Sequence, residues 1–252
     1  MCVDLFSIGP ITIHGYGLMI AIGIIAGLIV AEKRAEKAGL NSDHIYTMAF
    51  LIAIIGFLGG KLMFMIVEWR STIADPLSMI KGNGFVVYGG IITGLIVALV
   101  FCHIKKLEFA RYADILVPSV AIAQGFGRIG CFLAGCCYGR PTDSWVGVVF
   151  NNSPFAPHGV KVIPTQLFSS AGDFLIAIIL ILYSKKRKTA GQVTAMYFVL
   201  YSIGRFIIEI FRNDDRGKIG NLSTAQFTGI FMLAGGLIAL LVLQNRKKQN
   251  NE

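Results

Sequence analysis

One stretch of the chain, residues 124–143, concentrates the residue types that could do chemistry. It places Arg128 and three cysteines among five glycines, and its first half is apolar enough to lie within a membrane. Arg128 stands between Gly127 and Gly130 and has no acidic residue within one helical turn. Because a guanidinium can bind two phosphate oxygens at once, this position is typical of a phosphate site. The alternative is a structural arginine that pairs with Glu209 or caps backbone carbonyls.

A second group of charged residues lies in another apolar run. Arg205 and Glu209 are four residues apart, and Tyr201 and Arg212 extend the same helical stripe by one turn in each direction. An ionisable group inside a membrane span costs about 2.5 to 3.5 kcal/mol, so each one needs a partner or a function. The spacing predicts an ion pair between Arg205 and Glu209, which either orients the helix or serves a site.

The three cysteines allow several interpretations. If the segment is helical as far as Cys136, that residue lies about 7.5 Å along the axis from Cys131, which disfavours a disulfide. A metal site would need a fourth ligand such as His158, and Cys-x4-Cys-Cys lacks the paired spacing of zinc sites, so we predict no metal. A nucleophilic thiol at Cys136 or Cys137 is a further hypothesis. The favoured interpretation is small polarizable side chains that only fill space.

Membrane helices must position these residues. The 252-residue chain is 55% hydrophobic and only 15% charged, and its mean hydropathy is positive, so it is more apolar than a soluble domain of this size requires. The net charge is +9, but no basic patch interleaved with aromatic residues occurs, which argues against nucleic acid as a partner. The composition predicts an all-α, polytopic membrane protein.

Apolar runs of about 20 residues, long enough to cross a bilayer, predict seven transmembrane helices. They cover residues 11–31, 45–67, 85–104, 112–136, 164–183, 192–211 and 224–243. The first ten residues contain no Lys or Arg, so we expect the first span to be retained and not cleaved as a signal peptide. We expect residues 1–252 to form a single transmembrane domain.

The distribution of basic residues predicts the orientation. Loops on one side carry 13 Lys and Arg residues, and loops on the opposite side carry seven. Because basic residues near span ends are retained in the cytoplasm, the N-terminus is predicted to lie outside and the C-terminus in the cytoplasm. The longest loop, residues 138–163, is then external, and we expect it to cover the site.

Several motifs together carry a family resemblance. Residues 127–139 read Gly-Arg-Ile-Gly-Cys-Phe-Leu-Ala-Gly-Cys-Cys-Tyr-Gly, and Thr142 and Asp143 follow. The other motifs are Tyr16-Gly17-Leu18-Met19, Gly59-Gly60-Lys61, Pro164-Thr165-Gln166-Leu167, the stripe from Arg205 to Arg212, and Leu222-Ser223 with Gln226. The chain resembles the bacterial prolipoprotein diacylglyceryl transferases, whose signature is Gly-Arg-x-Gly-Asn-Phe-x-Asn-x-Glu-x-x-Gly.

The resemblance implies a reaction and a set of site residues. The family moves the diacylglyceryl group of phosphatidylglycerol, a membrane lipid, to the lipobox cysteine thiol of a lipoprotein precursor and releases glycerol phosphate. The implied enzyme is a multi-pass protein of the bacterial plasma (inner) membrane that needs no cofactor. The implied catalytic residues are Arg128, Arg205, Glu209 and Tyr88, and the hypothesis of a nucleophilic thiol adds Cys136. The implied substrate-binding residues are Arg128, Tyr16, Gly127, Gly130, Gly139, Gln166 and Gln226.

The chain departs from the family pattern at four polar positions. Tyr88 stands where members usually carry the histidine of a His-Gly-Gly triplet, and a tyrosine is a poorer base than a histidine at neutral pH. In the signature, Cys131 and Ala134 replace the two asparagines, and Cys136 replaces the acid. Two alternatives therefore stay open. One is a cysteine-dependent lipid or acyl transferase with another acceptor, and the other is a non-enzymatic lipid or small-molecule transporter.

Overall fold

The computed structural model describes residues 4–8, 11–82, 84–151, 153–187, 189–214, 217–220 and 222–249. Seven helices in these ranges are long and apolar enough to cross a membrane, which confirms the predicted architecture. The helices are α1 (Gly15–Lys37), α2 (Ser42–Val67), two short helices α3 (Trp69–Ala74) and α4 (Pro76–Lys81), then α5 (Val87–Ile104), α6 (Phe109–Ala134), α7 (Thr165–Ser184), α8 (Gln192–Phe211) and α9 (Thr224–Gln249).

Three small antiparallel sheets occupy connections between helices. Strand β1 (Asp4–Ile8) pairs with β2 (Ile11–His14), β3 (Val148–Val149) with β4 (Lys161–Val162), and β5 (Lys218–Ile219) with β6 (Leu222–Ser223). The first spanning helix begins at Gly15 and not at residue 11 as predicted. The β-branched run of residues 11–13 explains the difference, because such side chains favour a strand.

The chain forms two compact units, one of which is Glu32–Tyr112. In this unit helices α2 and α5 pack closely, because glycines line both of them. A Cβ placed on Gly90 would lie 3.0 Å from the carbonyl oxygen of Gly56, and one on Gly89 would lie 2.6 Å from that of Gly59. Small residues of this kind let helix backbones touch in lipid.

The other unit consists of Met1–Ala31 and Ala113–Glu252. Helix α1 packs on α6 at two glycines, since a Cβ on Gly23 would lie 2.9 Å from Phe126 and one on Gly27 would lie 3.0 Å from the Ser119 carbonyl oxygen. Helices α6, α7 and α8 share an apolar core. Its buried members are Ala121, Ile176, Ala177, Leu180, Val193 and Tyr197.

A buried carboxylate on helix α6 ties down the start of helix α8. Asp114 accepts hydrogen bonds from the backbone N–H groups of Gly191 and Thr194, both at 2.9 Å, and from the Thr194 hydroxyl at 2.8 Å. The Arg187 guanidinium also donates to this carboxylate as an ion pair. The carboxylate satisfies N–H groups that the first turn of a helix leaves without partners, at the end where the helix dipole favours an anion.

Candidate active site

Helix α6 ends earlier than the sequence predicts, and this ending shapes the site. The backbone N–H of Gly135 donates to Phe132 at 3.1 Å and that of Cys136 donates to Cys131 at 3.1 Å, while Gly135 has a φ of +72°. These two bonds around a left-handed glycine form a Schellman motif, which stops a helix. The predicted span 112–136 therefore ran two residues too far at its C-terminal end, because Gly135 turns the chain.

The turn brings three thiols together. The Sγ atoms of Cys131, Cys136 and Cys137 lie within 4.8 Å of one another, and we call them the thiol cluster. The helical separation predicted for Cys131 and Cys136 is thus wrong, and helical rise does not keep these two thiols apart. All four cysteines in the described ranges, which include Cys102, are free thiols.

The thiol cluster shares its charge unequally. Hydrogen bonds from the thiols of Cys131 and Cys136, aided by the cations of Arg212 and Arg128, hold the pKa of the Cys137 thiol well below its ordinary value. Hydrogen bonding with Cys131 and Cys137, together with burial, raises the pKa of the Cys136 thiol, whose S–H donates to the Cys131 carbonyl at 3.7 Å. Within the cluster, the nearby cations of Arg212 and Arg128 favour the ionised form of Cys137.

Helix α7 fixes the backbone of the turn. The Gln166 side-chain amide donates to the Cys136 carbonyl at 2.6 Å, and the Thr165 hydroxyl donates to the Cys137 carbonyl at 2.7 Å. The predicted site residue Gly139 donates its N–H to the Ile163 carbonyl at 2.9 Å, and a Cβ there would come within 2.8 Å of that oxygen. Gln166 and Gly139 thus hold the turn that carries the thiols.

The loop 138–163 packs onto the end of helix α6. Ser153 donates its hydroxyl hydrogen towards the carbonyls of Ala134 and Gly135, at 3.1 and 3.2 Å. Phe150 is fully buried, and Phe132 of the helix packs against its apolar cluster, with the two rings edge to face. The loop therefore covers the helix end next to the thiol cluster.

A cleft beside the turn brings together the two predicted arginines. Helices α6, α7 and α8 line about 360 Å³ of unfilled space, part of it open to the surroundings. Its polar lining consists of Arg128, Ser169, Asp173, Tyr201 and Arg205. Arg128 interacts electrostatically with Cys131, Cys137, Tyr201 and Asp173. The cleft and the thiol cluster are therefore neighbouring parts of one site.

The two arginines differ in how they are held. The Arg205 guanidinium lies 3.1 Å from the Glu209 carboxylate, so the ion pair that their spacing predicts is present. That carboxylate also lies 3.9 Å from Arg212, which binds Asp214 through two nitrogens at 2.9 and 2.6 Å. Among the described residues, none makes a hydrogen bond or an ion pair with the Arg128 side chain. Its interactions with Cys131, Cys137, Tyr201 and Asp173 are longer-range and electrostatic.

Asp173 lines the cleft but was not among the site residues predicted from the sequence. It lies in the middle of helix α7, is 7% exposed, and interacts electrostatically with both Arg128 and Arg205. The signal was available in the sequence, because an acid within an apolar run of membrane-spanning length needs a partner or a function. Asp114, described above, carried the same signal.

The remaining predicted residues have varied surroundings. The Tyr16 ring packs against helix α6 at Gly130, where an added Cβ would lie 3.0 Å from the ring. At Gly127 the helix surface is open, since an added Cβ there would have no atom within 4 Å. Gln226 accepts from the Ser223 N–H at 3.1 Å and its own N–H donates to the Ser223 hydroxyl at 3.1 Å, which is a capping box at the start of helix α9. Tyr88 belongs to the other compact unit, at the second position of helix α5, and is 47% exposed.

Comparisons with known proteins identify the family. Residues 4–242 match the family model described as prolipoprotein diacylglyceryl transferase. The chain is 47% identical over 246 residues to a phosphatidylglycerol–prolipoprotein diacylglyceryl transferase of Clostridium tetani, covering 97% of this chain and 98% of that relative. It is 44% identical to the second such transferase of Clostridium perfringens, with 98% of both chains covered. A Staphylococcus aureus relative is 33% identical over 97% of this chain and 89% of that relative. The chain therefore belongs to the prolipoprotein diacylglyceryl transferase family.

Proposed function

We infer that this protein is a membrane-embedded transferase that moves the diacylglyceryl group of phosphatidylglycerol to a prolipoprotein thiol. Relatives that align over nearly their whole length carry this activity in their names, and the family match spans almost the whole chain. The acceptor atom is the thiol sulfur of the lipobox cysteine. The protein acts in the bacterial plasma membrane, with its N-terminus outside, as the distribution of basic residues indicates.

One observation carries the assignment of the site. Arg128 lines an open cleft and is engaged by no hydrogen bond from the described residues, although a guanidinium has five N–H groups that need acceptors. A phosphate supplies acceptor oxygens in the planar, bidentate arrangement that arginine prefers. The phosphate of phosphatidylglycerol is therefore the partner that completes Arg128.

The reaction requires an ionised thiol and a stabilised leaving group. The acceptor sulfur attacks the glycerol carbon that bears the phosphate ester, the carbon–oxygen bond breaks, and glycerol phosphate leaves with the electron pair. Negative charge grows on the phosphate in the transition state, so donors fixed in place beforehand lower the barrier. Arg128 and Arg205 face the same cleft, and we assign both to the departing phosphate.

Two further residues position this pair of cations, and two others serve the lipid. Glu209 holds the Arg205 guanidinium by the ion pair at 3.1 Å. Asp173, on helix α7, interacts with both arginines and lowers the net positive charge of the cleft. Tyr16, packed at Gly130, is assigned to the lipid head group, and the open backbone at Gly127 gives the lipid access.

The other predicted residues take supporting roles in this scheme. Gln166 and Gly139 fix the turn after helix α6, and Gln226 holds the start of helix α9. Cys136 belongs to the thiol cluster and is assigned to acceptor binding. Tyr88 is the candidate proton acceptor by its place in the sequence pattern, although a tyrosine is a weaker base at neutral pH than histidine.

Reconstitution tests the activity. The purified protein in vesicles is incubated with a lipobox peptide, with and without phosphatidylglycerol, and the peptide is analysed by mass spectrometry; a Cys→Ser peptide is the matched control. We expect a diacylglyceryl thioether only when phosphatidylglycerol and the cysteine are both present. Absence of the adduct, where the Clostridium tetani relative produces it, would contradict the assignment. A lipid adduct on the protein's own cysteines, or lipid flux without covalent change, would support the two alternatives instead.

A further inference from the structure

The thiol cluster has the dimensions of a metal site. Its three Sγ atoms lie within 4.8 Å of one another. Three thiolates at about 2.3 Å from a tetrahedral Zn²⁺ would be separated by about 3.8 Å, so small side-chain rotations suffice to bind the ion. All three cysteines are partly exposed, which leaves one side of the cluster reachable by a fourth ligand.

The surroundings of the cluster suit a soft cation held by thiolates. Three thiolates around one divalent ion carry a net single negative charge, and Arg128 and Arg212 both interact electrostatically with Cys137. Gln166 and Thr165 hold the carbonyls of Cys136 and Cys137, so the backbone that presents these two ligands is fixed in advance. Thiolate ligands select zinc and similarly soft ions over Mg²⁺ or Ca²⁺.

We propose that Cys131, Cys136 and Cys137 bind a Zn²⁺ ion whose fourth position is open to the thiol of the acceptor protein. A zinc ion with three protein ligands and one exchangeable position is the pattern of catalytic sites, whereas structural sites have four protein ligands. His158 does not supply the fourth ligand, because its Nε2–H donates to the Ser153 carbonyl at 2.7 Å and the histidine is not among the clustered groups.

The role of this ion rests on the proposed function. A thiol that coordinates Zn²⁺ loses its proton to solvent, because the metal stabilises the thiolate. The bound sulfur then attacks the glycerol carbon, the thioether forms, and glycerol phosphate leaves towards Arg128 with the electron pair of the broken bond. No oxidant or reductant is needed. Metal activation of the thiol would take over the role of the general base, for which this chain offers Tyr88 in place of the usual histidine.

Cobalt titration tests the site without reference to activity. The full-length protein is purified in detergent, stripped of metal with a chelator and titrated with Co²⁺, and the thiolate-to-cobalt charge-transfer absorption is recorded. We expect saturation at one equivalent and displacement by Zn²⁺. We expect Cys131→Ser, Cys136→Ser and Cys137→Ser each to weaken affinity more than about 100-fold, since even outer-sphere partners contribute about 10- to 100-fold. Cys102→Ser, which removes a buried thiol of the other compact unit, is the matched control and keeps the absorption.

The outcomes separate the metal site from its role. No charge-transfer band in the wild-type protein, or equal cobalt binding by the triple serine variant, overturns the site, and the wild-type result does not depend on how any variant folds. Full transfer activity in the metal-stripped protein overturns the role. Cobalt bound at the cluster with no transfer under any condition supports the site while contradicting the proposed function. Activity that is lost on stripping and restored by Zn²⁺ supports both.

Discussion

Two charged residues of helix α6, Asp114 and Arg128, lie in apolar surroundings, and they differ in how completely the protein satisfies their hydrogen-bonding groups. Asp114, near the start of the helix, is fully buried and accepts bonds from Arg187, Gly191 and Thr194. Arg128, about four turns later, lines a cleft and no hydrogen bond from the described residues engages it. A buried polar group that is satisfied internally stabilises the fold, whereas a desolvated one with unused donors is prepared for a ligand.

The comparison predicts opposite consequences for the two positions. Removing the satisfied group should cost stability and leave the chemistry of the surviving molecules unchanged. Removing the unsatisfied group should cost activity and leave stability unchanged. Four substitutions test this contrast.

Asp114→Ala should have the largest effect. Breaking a buried ion pair costs about 3 to 5 kcal/mol, because the remaining partner loses its counter-charge, and the N–H groups of helix α8 also lose their acceptor. We expect a strong fall in the thermal unfolding temperature in detergent, with the rate per folded molecule within about twofold of wild type. A variant as stable as the parent would show that the carboxylate does not hold helix α8.

Arg128→Ala should abolish most of the activity. Loss of one donor to the developing charge of a transition state costs about 2.7 to 4 kcal/mol, or 100- to 1,000-fold in rate. The initial rate of thioether formation and the unfolding temperature are measured side by side, and only the rate should fall. Arg128→Lys keeps the charge without the planar fork and should recover part of the rate. Full activity in the alanine variant would remove Arg128 from the site.

Glu209→Gln should have a smaller effect on activity. It removes the carboxylate that holds Arg205 but leaves both cleft arginines in the chain. We expect kcat to fall by up to about 100-fold, the cost of misplacing a catalytic group by about 1 Å. Glu209→Asp keeps the charge and should recover part of the loss. Equal losses in the Gln and Asp variants, with a matching loss of stability, would mean that Glu209 only packs the helix.

Asp173→Asn should have the smallest effect of the four substitutions, and it should strengthen the binding of anions in the cleft. The carboxylate offsets the charge of Arg128 and Arg205, so its neutralisation leaves more positive charge in the cleft. We expect glycerol phosphate to inhibit the variant several-fold more strongly than wild type. Weaker inhibition, together with a lost rate, would indicate that Asp173 contacts the substrate itself.

The sequence predicted those features that depend on local spacing. Seven spans follow from apolar runs of sufficient length, and the Arg205–Glu209 pair follows from a separation of four residues on one helix. The phosphate role of Arg128, inferred from its neighbours Gly127 and Gly130, stays a prediction. Both of these confirmed features depend on residues within one continuous segment of the chain.

Features that depend on distant parts of the chain were missed. Asp114 meets its partner Arg187 73 positions later, and Asp173 meets Arg128 only when α6 and α7 pack. The thiol cluster was missed because the predicted helix continued to Cys136, which would keep Cys131 and Cys136 apart. The left-handed Gly135 ends the helix before that point. A Cβ at Gly135 would lie 2.4 Å from the Ser153 hydroxyl, so the fixed turn also depends on the loop.

A structure of the protein in a bilayer that contains phosphatidylglycerol would show directly whether Arg128 binds the lipid phosphate. We expect a phosphate in the cleft of helices α6, α7 and α8, with two oxygens at about 2.7 to 2.9 Å from the Arg128 nitrogens, the distance of a charge-assisted hydrogen bond. A head group bound elsewhere, with Arg128 paired to Asp173 in the presence of lipid, would contradict it.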